Sequence, residues 1–378
     1  MAWLTGGLGY ILPFLFTLTA LVFVHELGHY LVARRNGVRV EVFSIGFGPE
    51  LFGWRDRVGT RWKISAIPLG GYVKMFGDAD ASSMPGEQLT TMTEAEKAVS
   101  FHHKRLPQRA AVVAAGPIAN FLFAIVIFAA MFATVGQPFT PPQVAEVDPG
   151  TAAASAGIKP GDTILAIDGH HIDRFEDIQQ AVAFNTGTPI RLLIKRDGHE
   201  ITIDVTPRVT EFTDRFGDKH SMGLLGIRRT GGADYVKLDP ATAVWHATTY
   251  TWDLTAGTLK AVWQMIIGVR ASDELSGPVG IVRMSGQVAQ GGFLPLLGFA
   301  ALLSVNLGLI NLFPIPVLDG GHLLFYAAEA IRGRPLGQRA QEYGFRLGLA
   351  LVMMLMVFAT WNDLVRLKVV EIIRGLWT

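Results

Sequence analysis

Three ionisable side chains stand close together near the start of the chain: His25, Glu26 and His29, within VHELGHYLVARR. On a helix, residues four apart share one face, so the two imidazoles sit one turn above each other. That is the spacing two zinc ligands need, with the adjacent glutamate free to act on water rather than bind the ion. Zinc lowers the pKa of a bound water to about 7, which makes hydroxide available at neutral pH. Glu26 would take that water's proton and pass it to a leaving amine.

The setting sharpens the reading. The apolar run ILPFLFTLTALVF leads directly into these residues. An ionisable group at the bilayer centre costs about 2.5–3.5 kcal/mol on insertion scales, so such groups persist where they have partners or chemistry. The competing reading is a cluster of interfacial histidines at a helix end beside Arg34 and Arg35.

A catalytic zinc takes three protein ligands and keeps one position open. The candidate third ligand lies in NLGLINLFPIPVLDGGH, residues 306 to 322. Pro314 and Pro316 must break a helix there, because neither can donate a backbone hydrogen bond. Asp319 then falls beside Gly320 and Gly321 in a non-helical stretch, which membrane depth tolerates only where it lines a protein cavity. Its carboxylate would complete a His-His-Asp set; taken alone, it reads equally well as a helix cap.

The elements that must carry these groups are mostly membrane spans. Half of the 378 residues are hydrophobic and only 17% are charged. Four stretches are apolar for about the 20 residues a bilayer-crossing helix requires. They run from Tyr10 to Ala33, Ala110 to Val135, Gly292 to Phe313, and around Leu347 to Trp361. Met1 to Gly9 lack the basic residues of a cleavable signal, so the first stretch reads as a retained span. Arg34, Arg35, Arg39, Lys104, Arg105 and Arg109 flank the first loop, and Arg332, Arg334 and Arg339 lie in the last. This places both loops in the cytoplasm and leaves both termini and residues 136 to 291 outside. Arg366, Lys368 and Arg374 weigh weakly against that orientation.

The net charge of +1 gives no sign of a nucleic-acid partner. With no cysteine, disulfides, thiol catalysis and cysteine-based zinc sites are excluded.

Between the second and third spans, TILAI, IRLLIK and ITIDVTP alternate apolar and polar residues. They are separated by KPGD, IDGH and RDGHE turns, the pattern of a small β-rich domain over about 142 to 208. Its AGIKPGDTILAIDGHHI resembles the signature of PDZ domains of the bacterial protease type. Such a domain would bind an extended chain or a new substrate C-terminus, or act as a cap that excludes untrimmed proteins. The following helix carries Trp245, Trp252 and Trp263 and is expected to skirt the outer membrane surface.

HELGH in the first span, NLFPIPVLDGG in a late one and the PDZ-like insert resemble the site-2 protease family of intramembrane zinc metalloproteases. GFGPELF, ISAIPLGGYVKM, AGPIANF and SGPVGI extend the resemblance over nearly the whole chain, toward the branch typified by the bacterial regulator of sigma-E protease. The resemblance implies one Zn2+ held by His25, His29 and Asp319, with Glu26 as general base. It implies that Asn311 contacts the substrate backbone, and gives His322 either a supporting or a plain structural place. The region of Gly116 and Asn120 lies near the active site in that family, which makes Asn120 a contact candidate, although helix packing alone explains both residues. His102 and His103 read as solvated loop residues.

RWKISAIPLGGYVKM alternates as a strand and then turns at Pro68-Leu69-Gly70-Gly71. If this hairpin dips toward the metal, Ile64, Ala66, Gly70 and Gly71 would meet an extended substrate by strand addition. The alternative is a cytoplasmic hairpin that only covers the site.

The expected architecture is a polytopic α-helical membrane protein with about four transmembrane helices, a membrane-associated β-hairpin and an inserted periplasmic PDZ domain, a β-rich α+β fold. Its segments are 1–35 (first span with HELGH), 36–109 (cytoplasmic loop with the hairpin), 110–136 (second span), 142–208 (PDZ), 209–291 (periplasmic linker and interfacial helix), 292–322 (third span) and 345–370 (fourth span and tail). The expected activity is intramembrane zinc endopeptidase in a bacterial inner membrane, acting on single-span proteins. By resemblance these include an anti-sigma factor and remnant signal peptides, in regulated stress-response proteolysis. Two other classes compete: a non-catalytic membrane-anchored PDZ scaffold or sensor, and a metal-dependent transporter, which the lack of paired inverted repeats disfavours.

Overall fold

The computed structural model describes residues 7–78, 91–183, 185, 187–213, 219–229, 234–268 and 276–366. In chain order the elements are α1 (Leu8–Arg35), β1 (Val40–Arg55), β2 (Arg61–Met75), α2 (Glu94–Val99), α3 (Leu106–Thr134), β3 (Gln137–Phe139), β4 (Val144–Val147), α4 (Ala152–Ser155), β5 (Thr163–Ile167), β6 (His170–His171), α5 (Phe175–Ala183), β7 (Ile190–Arg196), β8 (His199–Val205), β9 (Arg208–Thr213), β10 (Lys219–Leu224), β11 (Ile227–Arg229), β12 (Asp234–Val236), α6 (Pro240–Ile266), α7 (Pro278–Gln290), α8 (Phe293–Leu312), α9 (Asp319–Arg332) and α10 (Gln338–Arg366). They form two compact units. One comprises residues 1–127 with 276–364, the other 128–275 with 365–378.

Among the described residues four helices are long and apolar enough to cross a membrane, and they are the four expected: α1, α3, α8 and α10. Arg34 and Arg35 occupy the last turn of α1, where positive charge opposes the negative end of the helix dipole. Asn36 closes that end, its Nδ2 donating to the Val32 carbonyl at 2.8 Å. Near the other end of the first unit, Asp363 of α10 accepts from the backbone amides of Gly277 (3.0 Å) and Gly280 (2.8 Å). This caps α7 with a residue from the last span.

The β1–β2 ribbon is more folded than a plain hairpin. Residues 42–45 pair with 71–74 on one side and with 61–64 on the other, while Phe52 to Arg55 pair with 61–64 again. The order across the sheet is therefore 50–55, 61–65, 42–45 and 71–75. Residues 42–45 and 61–64 advance together, so those two stretches run parallel within an otherwise antiparallel sheet. The fold-over happens at Gly46 and Gly48, with φ of 86° and 85°. A Cβ on Gly46 would lie 2.6 Å from the Ile67 carbonyl oxygen, so only glycine fits both the backbone angle and the space. One apolar core holds this sheet to the helices. Phe43, Val73 and Met75 of the sheet pack with Tyr30 and Ala33 of α1, Val112 and Val113 of α3, and Phe101.

The second unit centres on the sheet β6-β5-β7-β8, whose inward side chains Ile164, Ile167, Leu192 and Ile194 are buried with Phe175, Ile178 and Val182 of α5. The alternation read from the sequence is the burial pattern of β7, whose odd positions from Ile190 on face inward. The domain reaches beyond residue 208: β11 pairs with β4, and Leu225 and Ile227 join the same core. The three tryptophans of α6 are exposed (60–72%) while Ala243, Ala247 and Leu254 on its other side are buried.

Asp162 ties this domain together. It is 1% exposed and accepts from Arg196 Nε and Nη2, both at 2.7 Å, and from the Lys159 amide at 2.8 Å. Burial pushes its carboxyl up, but the Arg196 fork and the Lys159 amide more than offset this and hold it below the usual carboxylate range. A depressed folded-state pKa gives stability that is present above the unfolded value, near 3.9, and is lost as pH falls through the folded one. Asp162→Asn is thus expected to destabilise the domain by about 3 kcal/mol at pH 7. The deficit should shrink below about pH 4, read from amide hydrogen exchange of β5 and β7 in the full-length protein. An equal deficit at both pH values would assign the effect to packing instead of charge.

Candidate active site

α1 presents His25 and His29 on one face, both 8% exposed, and α9 presents Asp319 from its first residue. α8 ends at Leu312, and the chain turns through Pro314 and Pro316, with Ile315 N–H donating to the Phe313 carbonyl and Leu318 N–H to that of Ile315, before α9 begins, which is the break the two prolines require. Asp319 is not in the non-helical stretch itself but opens the next helix. The cap position there belongs to Leu318, and no side chain caps it. Val317 holds a φ of 109°, a strained angle for a β-branched residue, immediately before that turn. Gly320 and Gly321 let the turn close: a Cβ on Gly320 would lie 2.3 Å from the Leu312 and Phe313 carbonyl oxygens, and one on Gly321 would lie 2.4 Å from that of Ile315.

The three groups converge although Asp319 is nearly three hundred residues from the histidines. His25 Nε2 lies 3.1 Å and His29 Nε2 3.5 Å from Asp319 Oδ2, and the two Nε2 atoms are 3.2 Å apart. Among the described residues this is the one trio of His, Cys, Asp or Glu arranged to hold a metal ion. A tetrahedral zinc with bonds of about 2.0–2.1 Å keeps its ligand atoms about 3.3 Å apart, so the spacing fits. The polar bookkeeping fits as well, because Asp319 Oδ2 is buried without a hydrogen-bond partner. Buried polar atoms rarely stay unsatisfied, and a cation would satisfy this one.

The ring of His29 is oriented from behind. Its Nδ1 lies 2.9 Å from the Val112 carbonyl oxygen. A carbonyl only accepts, so Nδ1 carries the proton and Nε2 turns its lone pair toward Asp319. His25 Nδ1 faces the amide of Asn120 at 3.1 Å. α3 reaches this close because Gly116 has no side chain: a Cβ there would sit 2.4 Å from His29 Nε2 and 2.8 Å from His25 Cε1. Gly28 does the same for the helix crossing, since its Cβ would meet the Ala115 carbonyl oxygen at 2.3 Å. Helix packing alone explains Gly116 in the sequence, but in the structure this residue also makes room for the two imidazoles. The usable signal was its four-residue spacing from Asn120, which puts both on the α3 face that meets α1.

Glu26 is half-buried on the adjoining side of α1. Its carboxylate lies within electrostatic reach of His25, His29 and Asp319 and interacts with the backbone amide of Val73. Gly71 abuts it, a Cβ there lying 3.3 Å from Glu26 Cγ. The strand 71–75 therefore runs beside the site with one side unpaired among the described residues. Ile64, by contrast, has strand partners on both sides, Ile45 and Phe52. Residues 61–64 are therefore interior to the sheet, whereas Ala66 lies further along the same strand, beyond the two-sided stretch. Gly70 lies at the bend that leads into the outer strand, with a φ of 111°. Asn311 occupies the last turn of α8 with no side-chain hydrogen bond among the described residues.

Other histidines are accounted for separately. His102 Nε2 lies 2.9 Å from the buried carboxylate of Asp78, and His103 contacts Ser100 at 3.2 Å. The His322 ring packs edge-on to Phe345 at 6.4 Å.

Comparison with known proteins places these residues in a wider group. The sequence profile described as Peptidase family M50 matches residues 13–355. A protein of Agrobacterium fabrum, provisionally named a zinc metalloprotease, is 50% identical over 365 residues, covering 95% of this chain and 97% of its own. The metalloprotease MmpA of Caulobacter vibrioides is 41% identical over 396 residues, covering 99% of this chain and all of its own. Among solved structures, the PDZ domain of the SdrC-like protein of Listeria monocytogenes aligns with 25% of this chain and 90% of its own, at 19% identity and a TM-score of 0.19.

Proposed function

Since the chain belongs to peptidase family M50, the site-2 proteases, we propose that it is an intramembrane zinc endopeptidase that cuts single-span membrane proteins within or near the bilayer. The observation that carries this reading is the convergence of His25 and His29, on the membrane-length helix α1, with Asp319, which opens α9 just after the membrane-length helix α8, beside Glu26.

In this reading His25, His29 and Asp319 hold one Zn2+. When bound, the ion supplies a Lewis acid that polarises the scissile carbonyl and lowers the pKa of water to about 7. Glu26 accepts the proton of the attacking water and returns it to the leaving amine. Asn311, at the end of α8, orients the substrate backbone through its free amide. The substrate must be unwound first, because a helix keeps its backbone groups to itself. The outer strand 71–75, entered through Gly70 and Gly71, takes it up by strand addition and carries it past Glu26. Exposed Phe47, Leu51, Phe52, Ile67 and Leu69 support insertion of this sheet's tip into lipid.

The orientation follows from the arginine-flanked loops: hairpin cytoplasmic, the second unit and both termini periplasmic, in a bacterial inner membrane. The second unit acts as a PDZ-like domain toward the extended end of a trimmed substrate, and the tryptophans of α6 face lipid headgroups. Substrates are an anti-sigma factor already clipped outside, and remnant signal peptides.

Metal removal tests the reading directly. Purified full-length protein in detergent should cleave a single-span reporter, fall to background after chelation, and recover when one equivalent of zinc is restored. Cleavage unaffected by complete zinc removal, checked by atomic absorption, would discard it.

A further inference from the structure

We propose that Asn120 is a positioning residue whose amide oxygen accepts a hydrogen bond from Nδ1–H of His25 and so aims the Nε2 lone pair of that ring at the metal. This rests on the reading of His25 as a ligand. Asn120 is completely buried on α3. The hydroxyl of Ser304 donates to its backbone carbonyl at 2.9 Å, and Gly308 packs against it, a Cβ there lying 3.3 Å from Asn120 Cβ. The side chain therefore has little to do but face His25.

Two orientations of the amide are open, because its oxygen and nitrogen occupy nearly the same space and only the hydrogen bonds distinguish them. With Nδ2 turned to the ring, 3.1 Å from His25 Nδ1, the amide donates and Nδ1 must accept. The ring proton then sits on Nε2, with Asp319 Oδ2 3.1 Å away but not hydrogen-bonded to it. That arrangement serves a metal-free site and leaves Asn120 Oδ1 buried with no partner. Turned by half a rotation, Oδ1 accepts from Nδ1–H, the orphaned oxygen is satisfied and Nε2 is free to ligate. His29 needs no such choice, since the Val112 carbonyl opposite its Nδ1 can only accept. Zinc binding selects the second orientation, and the amide is the one adjustable partner in the ligand set.

The experiment measures zinc affinity by chelator competition on the full-length protein in detergent, for wild type, Asn120→Leu, Asn120→Asp and His25→Ala. Loss of a partner behind a ligating histidine weakens metal binding by about 10- to 100-fold, and Asn120→Leu is expected to fall in that range. Asn120→Asp should stay within a few-fold of wild type, because a carboxylate accepts the same proton although it can donate none. Wild-type affinity in Asn120→Leu, or Asp as poor as Leu, overturns the proposal. Unchanged affinity in His25→Ala overturns the ligand assignment itself, a failure that is separately recognisable. Should Asn120→Leu not fold, 15N spectra of histidine-labelled, zinc-loaded wild type decide: a proton on His25 Nδ1 is expected, and its absence refutes the role.

Discussion

Glu26→Gln is expected to lower cleavage of a single-span substrate by about 10²- to 10⁴-fold while zinc content stays at the wild-type level. Glutamine has the same shape and can still meet the Val73 amide through its oxygen, but it cannot take a proton from water near neutral pH. Glu26 stands outside the proposed ligand trio of His25, His29 and Asp319, whose three atoms already approach one another within 3.5 Å. Removing its charge should therefore leave the ion in place. The paired measurement is initial rate of reporter cleavage and zinc by atomic absorption on the same preparation. A variant with near wild-type rate shows that another group is the base; one that has lost zinc shows that Glu26 belongs to the ligand set. Cleavage by wild type that is lost in Glu26→Gln while the substrate still co-purifies with the variant separates a protease from a scaffold, which would bind but cleave in neither form.

A second large effect is expected from one methyl group. Gly116→Ala would place a Cβ 2.4 Å from His29 Nε2, far inside any real contact. The clash falls on the atom proposed to ligate zinc, and the ring cannot swing away without giving up the Val112 carbonyl behind it. We expect zinc affinity to drop by about 100-fold and cleavage to vanish at ordinary zinc concentrations, with the helices still assembled. Gly28→Ala is the informative contrast. Its Cβ meets backbone, the Ala115 carbonyl oxygen, so α1 and α3 must separate and stability suffers by about 1–3 kcal/mol. If Gly116→Ala binds zinc normally, the ligand atoms lie elsewhere than this geometry puts them.

Much was legible from residues alone because it depends on near neighbours along the chain. Four runs of about twenty apolar residues can only cross or avoid a bilayer as helices. The two histidines four apart must share a face wherever the helix goes, and Pro314 with Pro316 had to end α8. The β7 alternation announced its own buried side. Each of these is settled by geometry within a few residues.

What the tertiary structure decided involves groups far apart in sequence. Asp319 could have been a cap; only the return of the chain through the 313–318 turn sets its Oδ2 against both imidazoles. The strand that faces Glu26 is 71–75 and not 61–67, because alternation reveals which side chains share a face but not which neighbour each strand edge acquires. Helix packing alone could explain Gly116 and Asn120 in the sequence, and it is the approach of α3 to α1 that sets them against the two imidazoles. Likewise, β11 completes the core of the second unit from outside the segment 142–208. A local pattern constrains a helix or a strand, whereas a site built by several elements exists only once their packing has brought those surfaces together.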